Sequence, residues 1–197
     1  MITKWLYNEF QQTGKDYTLQ KEVDVYDPSH DDFRNLAKEI QEVIEWLRPN
    51  KRLRFLDIGC GTGNFSLALA AHSEKVYAID VSETMLKAAK AKADIKQIKN
   101  ISFSHTGYLN FNLPEKSIDG VISSLSLHHL PDYWKSIALE KIFHILKPGG
   151  RFYFYDVVIP DHNSIDKINA FIKSQELKGG DFMREDTIIH FKEEYST

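Results

Sequence analysis

The 197-residue sequence contains a single cysteine, Cys60, so no disulfide can close within the chain. A reducing cytoplasm is therefore the expected compartment. No apolar run approaches the ~20 residues of a membrane span. The N-terminal stretch MITKWLYNEFQQ also lacks a basic-then-apolar targeting pattern. Neither sign of charge dominates: 25 Lys and Arg stand against 28 Asp and Glu, a net charge of −3. That balance provides no broad electrostatic footprint for nucleic acid or a membrane surface. Repeats, low-complexity tracts and long linkers are missing, as is any spaced Cys/His/carboxylate set of the kind that holds a metal. What remains, with 42% apolar residues, is the composition of one globular domain with an ordinary core.

The organisation is alternating. After Pro28-Ser29, apolar residues at 33, 36, 37, 40, 43, 44 and 47 predict an amphipathic helix stopped by Pro49. Short apolar strands are then predicted at 53–58, 75–80, 101–105, within 117–127, and at 151–159. Helices are predicted at 65–72, at 82–98 with Ser82 as N-cap, and through about Leu146 with Asp132 as N-cap. Strands alternating with helices predict a Rossmann-like, doubly wound, mostly parallel α/β sheet with helices on both faces. Residues 1–48 read as a helical cover, 52–159 as the core and 160–197 as an irregular end. A helix at 164–178 is broken by Gly179-Gly180.

Glycine is concentrated in one place. In LDIGCGTGNF (56–65), Gly59, Gly61 and Gly63 alternate just past the first strand. In parallel sheets ligands bind beyond the carboxyl ends of the strands. A dinucleotide fingerprint would need glycine at position 64, which is Asn64. Two acids refine the reading. Asp57 closes the first strand and suits a cationic amine better than a phosphate. Asp80 closes the second strand about 20 residues after Gly59, where a carboxylate accepts from ribose hydroxyls. An amine and a ribose together describe a nucleoside joined to an amino acid.

The ordered stretches LDIGCGTGNF, AIDVSETML, IDGVISSLSLHHLPD and LKPGGRFYFYD resemble the motifs of class I S-adenosylmethionine (SAM)-dependent methyltransferases. The likeness is to the small-molecule type, including ubiquinone/menaquinone-biosynthesis-like enzymes, over roughly residues 35–158. It implies SAM as cofactor and S-adenosylhomocysteine as product. Gly59, Cys60, Gly61 and Gly63 would frame the methionine part, Asp80 would take the ribose, and Val81 and Met85 would flank adenine. Gly107 and Tyr108 would line the adenine edge, and Ser124 would face the methionine end. One position departs from the pattern: many relatives carry an adenine-binding aspartate where this chain has Gly107. The relatives' antiparallel strand pair is not found after residue 160, which predicts an open sheet edge and with it a homodimer or aggregation.

Methyl transfer needs a base only when the nucleophile arrives protonated. His129 is the candidate, with His128 beside it either on the substrate or as a packed loop residue. Among the N-terminal aromatics, Tyr17 and Tyr26 are the candidates for substrate or lid contact. The expected function is methyl transfer to a small-molecule acceptor whose identity the sequence does not carry. The alternatives are a SAM- or nucleoside-binding protein without transferase activity and, less favoured by Asn64, a nucleotide-dependent oxidoreductase.

Overall fold

The computed structural model describes residues 6–11, 16–31, 35–157 and 165–193. Its centre is a sheet of β1 (Arg54–Ile58), β2 (Lys75–Asp80), β3 (Ile101–His105), β4 (Ile118–Ser124) and β5 (Leu146–Tyr155). The strands lie in the order β3-β2-β1-β4-β5 and every pairing is parallel. No antiparallel strand occurs among the described residues. β1 is central, and four of its five residues are buried. Alternation along it sends Phe55 to one face and Leu56 and Ile58 to the other. Each of the three is fully buried, worth ~1.5–3 kcal/mol apiece in apolar transfer.

On the Phe55 face lie α2 (Leu36–Leu47) and α3 (Asn64–Ala70), which contribute Val43, Leu47, Leu69 and Ala70 to a cluster with Val76 and Ile122. On the other face α5 (Asp132–Ile145) packs Ala138, Ile142 and Ile145 against Leu56, Ile58 and Val121. α4 (Glu83–Ile95) is started by Ser82, whose hydroxyl accepts from Met85 N at 3.1 Å. Chain order reverses between β1 and β4, so the switch-point crevice opens at their carboxyl ends. Register puts Ile58 beside Ile79 and Ser123, so Asp57, Asp80 and Ser124 come to that same edge of the sheet.

Several expectations are corrected. Residues 20–31 form α1 (Gln20–Asp31), for which no apolar stripe gave a signal; the helix is secured by long-range polar contacts instead. Asp132 is the first residue of α5 rather than its cap, a position Pro131 holds. There its charge still favours the helix N-terminus. β5 begins at Leu146, because LKPGG stays paired to β4 across a register shift between Ile118 and Gly120. The end of the chain is not irregular where described: α6 spans Ile165–Glu193, non-helical only at Gly179 and Gly180. Its halves fold together, with the Phe171 and Phe191 rings 5.9 Å apart and Met183 and Thr187 buried. Spacings of four residues after Gly180 carry that second half, and the flanking charges mask them in the sequence. Among the described residues no helix is long and apolar enough to cross a membrane.

Candidate active site

Beyond Ile58 the chain makes a loop whose amides are turned inward. Gly59 N and Cys60 N both donate to Ile79 O, at 2.9 and 3.0 Å, and Gly63 N donates to Cys60 O at 2.9 Å. Gly59 and Gly63 have φ of +67° and +83°, the left-handed region that glycine enters without strain. A side chain at Gly59 would begin 2.5 Å from Ser126 Cβ, and one at Gly63 would begin 2.9 Å from Ala89 Cβ. The glycines therefore serve both backbone angle and close packing.

Asp57 and Asp80 stand on either side of this loop. Asp57 is buried and accepts from Ser66 Oγ at 2.5 Å. Burial, reinforced by the neighbouring Asp80 charge and only partly offset by Ser66, pushes its carboxyl up to about 7. Asp80 accepts from Gly61 N through Oδ2 and from Ser82 N through Oδ1, both at 2.8 Å. Burial raises its carboxyl too, against these two amide bonds. Each Asp80 oxygen holds one amide and keeps further lone pairs for a ligand. The Cys60 thiol is pushed well up by burial and by the two carboxylates, so it stays protonated.

Asp57, Gly59, Cys60, Thr62, Asn64, Phe65 and Ser124 share one open cavity of about 530 Å³, solvent at its mouth included, closed over by Tyr26, Asp27 and Leu36. The Ser124 hydroxyl is buried there without a hydrogen-bond partner among the described residues. A buried hydroxyl without a partner costs free energy until a ligand group meets it. The donor set thus fits a ligand with a cationic amine and several hydroxyls. Met85 is buried in the first turn of α4, and Val81 faces Gly107 across the ends of β2 and β3. The Tyr108 side chain does not reach the cavity. It runs beneath the loop, its hydroxyl 2.6 Å from Ser123 Oγ and 2.5 Å from Ser126 Oγ, leaving only backbone to offer a ligand.

The N-terminal segment covers the loop. Asp27 accepts from Thr62 Oγ1 at 2.6 Å and Asn64 Nδ2 at 3.1 Å, and pairs with Lys92 at 2.5 Å. Burial works against the Asp27 charge, but Lys92 and these donors hold its carboxyl below the usual range. Ser82 Oγ and Thr84 Oγ1 donate to the carbonyls of Tyr17 and Thr18, both at 2.7 Å. The Tyr26 ring lies 3.8 Å from where a Gly61 side chain would begin. Tyr17 meets Tyr26 edge-on at 5.9 Å and His129 at 6.4 Å. Tyr17, Tyr26 and His129 therefore lie together, and of the three Tyr26 lines the cavity.

His128 and His129 lie in different surroundings. His128 is buried, with Nδ1 2.6 Å from Asp156 Oδ1, and its backbone N–H donates to Asp156 Oδ2 at 3.2 Å. Burial opposes the Asp156 charge, yet the His128 bond and charge, with the Val157 and His128 amides, keep its carboxyl low. His129 lies against the His128 ring at 4.2 Å and is only partly covered. Asp27, Leu36, Thr62 and Phe65 line the cavity without a sequence signal of their own, and Glu9 and Asp156 stand nearby. Asp156 carried a usable signal, since it closes β5 as Asp57 and Asp80 close β1 and β2. Glu9 carried none of its own.

An all-parallel sheet with a glycine loop between two strand-closing carboxylates defines a Rossmann-like domain. Residues 55–150 match the methyltransferase domain family. An uncharacterized methyltransferase of Bacillus thuringiensis is 35% identical over 135 residues, 68% of this chain and 61% of the relative. A demethylmenaquinone methyltransferase of Geobacillus is 30% identical over 122 residues, 60% of this chain and 51% of the relative. The solved SAM-dependent methyltransferase of Aquifex aeolicus superposes with a TM-score of 0.53 at 25% identity, covering 66% of this chain and 68% of that one. Over residues 55–150 the chain is similar to methyltransferase domains, and it resembles SAM-dependent methyltransferases, whose cofactor is SAM. It spans between about half and three fifths of the length of the two sequence relatives.

Proposed function

We propose that this protein transfers the methyl group of SAM to a small-molecule acceptor. The observation that carries the reading is the pair of buried carboxylates, Asp57 and Asp80, set on either side of the inward-turned glycine loop. When bound, SAM supplies an activated methyl on a cationic sulfur, which an acceptor displaces in line. The protein's part is to bind, orient and exclude water. Asp57 faces the amine, the outward lone pairs of Asp80 take the ribose hydroxyls, and Ser124 meets the methionine end. Val81 and Met85 flank the adenine beside Gly107 and Tyr108.

Tyr17, Tyr26 and His129 form the acceptor side. An acceptor that arrives protonated gives its proton to His129, whose ring is backed by His128 on Asp156. The ring surfaces suit a planar acceptor, in keeping with a relative named for demethylmenaquinone. A reducing cytoplasm as the compartment is supported by the single buried thiol. Pairing of two chains along β5, where Phe154 and Tyr155 are 45% and 47% exposed, accounts for the expected homodimer; sedimentation at monomer mass removes it.

The deciding experiment is turnover of SAM against a panel of metabolites, with parallel titrations of S-adenosylhomocysteine and NAD. Methyl transfer to one acceptor supports the proposal. Tight S-adenosylhomocysteine binding without turnover across the panel favours a binding protein, and NAD binding without SAM binding overturns the reading. With the acceptor in hand, wild-type turnover in His129→Ala retires His129 as the base.

A further inference from the structure

Three carboxylates lie in a row across the carboxyl ends of three neighbouring strands. Asp57 closes β1 and Asp80 closes β2, but nothing of the kind follows β3, where Gly107 has no side chain. That space is filled from elsewhere. A side chain at Gly107 would begin 2.5 Å from the carboxyl carbon of Glu9 and 2.8 Å from Val81 Cγ1. Glu9 lies about a hundred residues away in sequence and is buried at 7% exposure.

Its hydrogen bonds are lopsided. Oε1 accepts from Asn110 Nδ2 at 2.6 Å and from Leu109 N at 3.0 Å, while Oε2 shares Leu109 N at 3.2 Å, and the Tyr108 and Asn110 amides also approach the carboxylate. A carboxylate has about four lone-pair positions, so Oε2 is the oxygen with acceptor capacity left. Burial raises the Glu9 carboxyl in spite of those donors, and Lys141 adds charge nearby while its own bonds go to the Leu109 and Phe111 carbonyls. The neighbouring Thr106 hydroxyl is buried without a hydrogen-bond partner among the described residues. Buried polar capacity at this end of β3, on the side of Val81, calls for a ligand that donates hydrogen.

A nucleoside running from an amine at β1 to a ribose at β2 brings its base to β3. We propose that the Glu9 carboxylate, carried in by the N-terminal segment, accepts from the exocyclic amine of the adenine ring of SAM. It does so in the space that Gly107 leaves open. Glu9 is thus a specificity determinant supplied by the cover rather than by the sheet. The proposal rests on the SAM reading above and goes beyond it.

The test compares S-adenosylhomocysteine with S-inosylhomocysteine, in which a carbonyl oxygen replaces the donating amine, by calorimetric titration. The wild-type protein should prefer the adenosyl ligand by about 10- to 100-fold, the range for a hydrogen bond to a charged group. Glu9→Ala should bring that ratio close to one. Because the ratio compares two ligands on one protein, general loss of fold does not mimic the effect. Gly107→Asp alone crowds two carboxylates into one space and should weaken both ligands, whereas Glu9→Ala combined with Gly107→Asp should restore adenosyl preference. An unchanged ratio in Glu9→Ala overturns the proposal, and so does tighter adenosyl binding, which would make Glu9 an occluding group. If the wild-type protein binds neither ligand, the SAM reading falls with it; binding with no preference for the amine overturns the Glu9 role alone.

Discussion

The two sides of the cavity are built in different ways. On the donor side, Glu9 apart, the contacts are short-range or backbone: Ser66 to Asp57, Gly61 N and Ser82 N to Asp80, and the loop amides to Ile79 O. On the acceptor side they are side chains from remote segments: Asp27 on Thr62 and Lys92, Tyr17 over His129, Asp156 under His128. A site whose shape is set by main-chain angles and buried amides is rigid and allows little substitution. One assembled from side chains of remote segments can change its partners while the donor side stays as it is. On the proposed reading, methyl donor and methyl acceptor therefore place separable demands on the molecule.

Variants on the two sides should separate accordingly. Asp80→Ala strips the acceptor from two buried amides and from the ribose hydroxyls, and should weaken S-adenosylhomocysteine binding by about 100-fold or more in calorimetry. Retained affinity would break the distinction at its strongest point.

The next effect is a pH dependence. With the Asp57 carboxyl raised to about 7, a cationic amine binds its ionised form, so affinity should rise about tenfold between pH 6 and pH 8. Asp57→Asn should flatten that slope. The same group also links pH to stability. Folded Asp57 keeps its proton to about pH 7, while the unfolded residue releases it near pH 4. Its stabilising contribution is complete below about pH 4 and is lost as pH climbs through 7. In the ligand-free protein, Asp57→Asn should accordingly raise the melting temperature above pH 7, and a lower one there would contradict the cause given for the shift.

The smallest effect belongs to the cover. The Asp27–Lys92 pair is about a third exposed, at 32% and 30%, so Asp27→Asn should cost no more than about 1 kcal/mol. The loss should shrink further in high salt. A change in S-adenosylhomocysteine affinity as large as that of Asp80→Ala would join the two sides into one unit.

The core was legible because its signals are local. LRFLDI and KVYAID are apolar runs that end in an acid, and a glycine-rich turn after the first of them has few other uses. α1 and Glu9 were not legible for the opposite reason. QKEVDVYDPSHD has no apolar stripe, and what fixes it is Thr62, Asn64 and Lys92, at least 35 residues away. Gly107 marked where a carboxylate was missing, but no spacing rule leads from there to residue 9. Asp156 ends RFYFYD as Asp57 and Asp80 follow their own apolar runs, a local signal of the same kind.

The distances along the chain also set an order of assembly. Ser66 and Asp57 are nine residues apart, whereas Glu9 to Leu109 spans 100 and Tyr7 to His129 spans 122. Closing the longer loops costs about 2 kcal/mol more in chain entropy, so those contacts are worth little until the strands they join are in place. Tyr7 and Glu9 precede the sheet in the chain, yet their partners are complete only once synthesis has passed residue 129 and β4 has found β1. The cover emerges early and locks late, and amide exchange during refolding should protect the glycine loop before it protects Leu109.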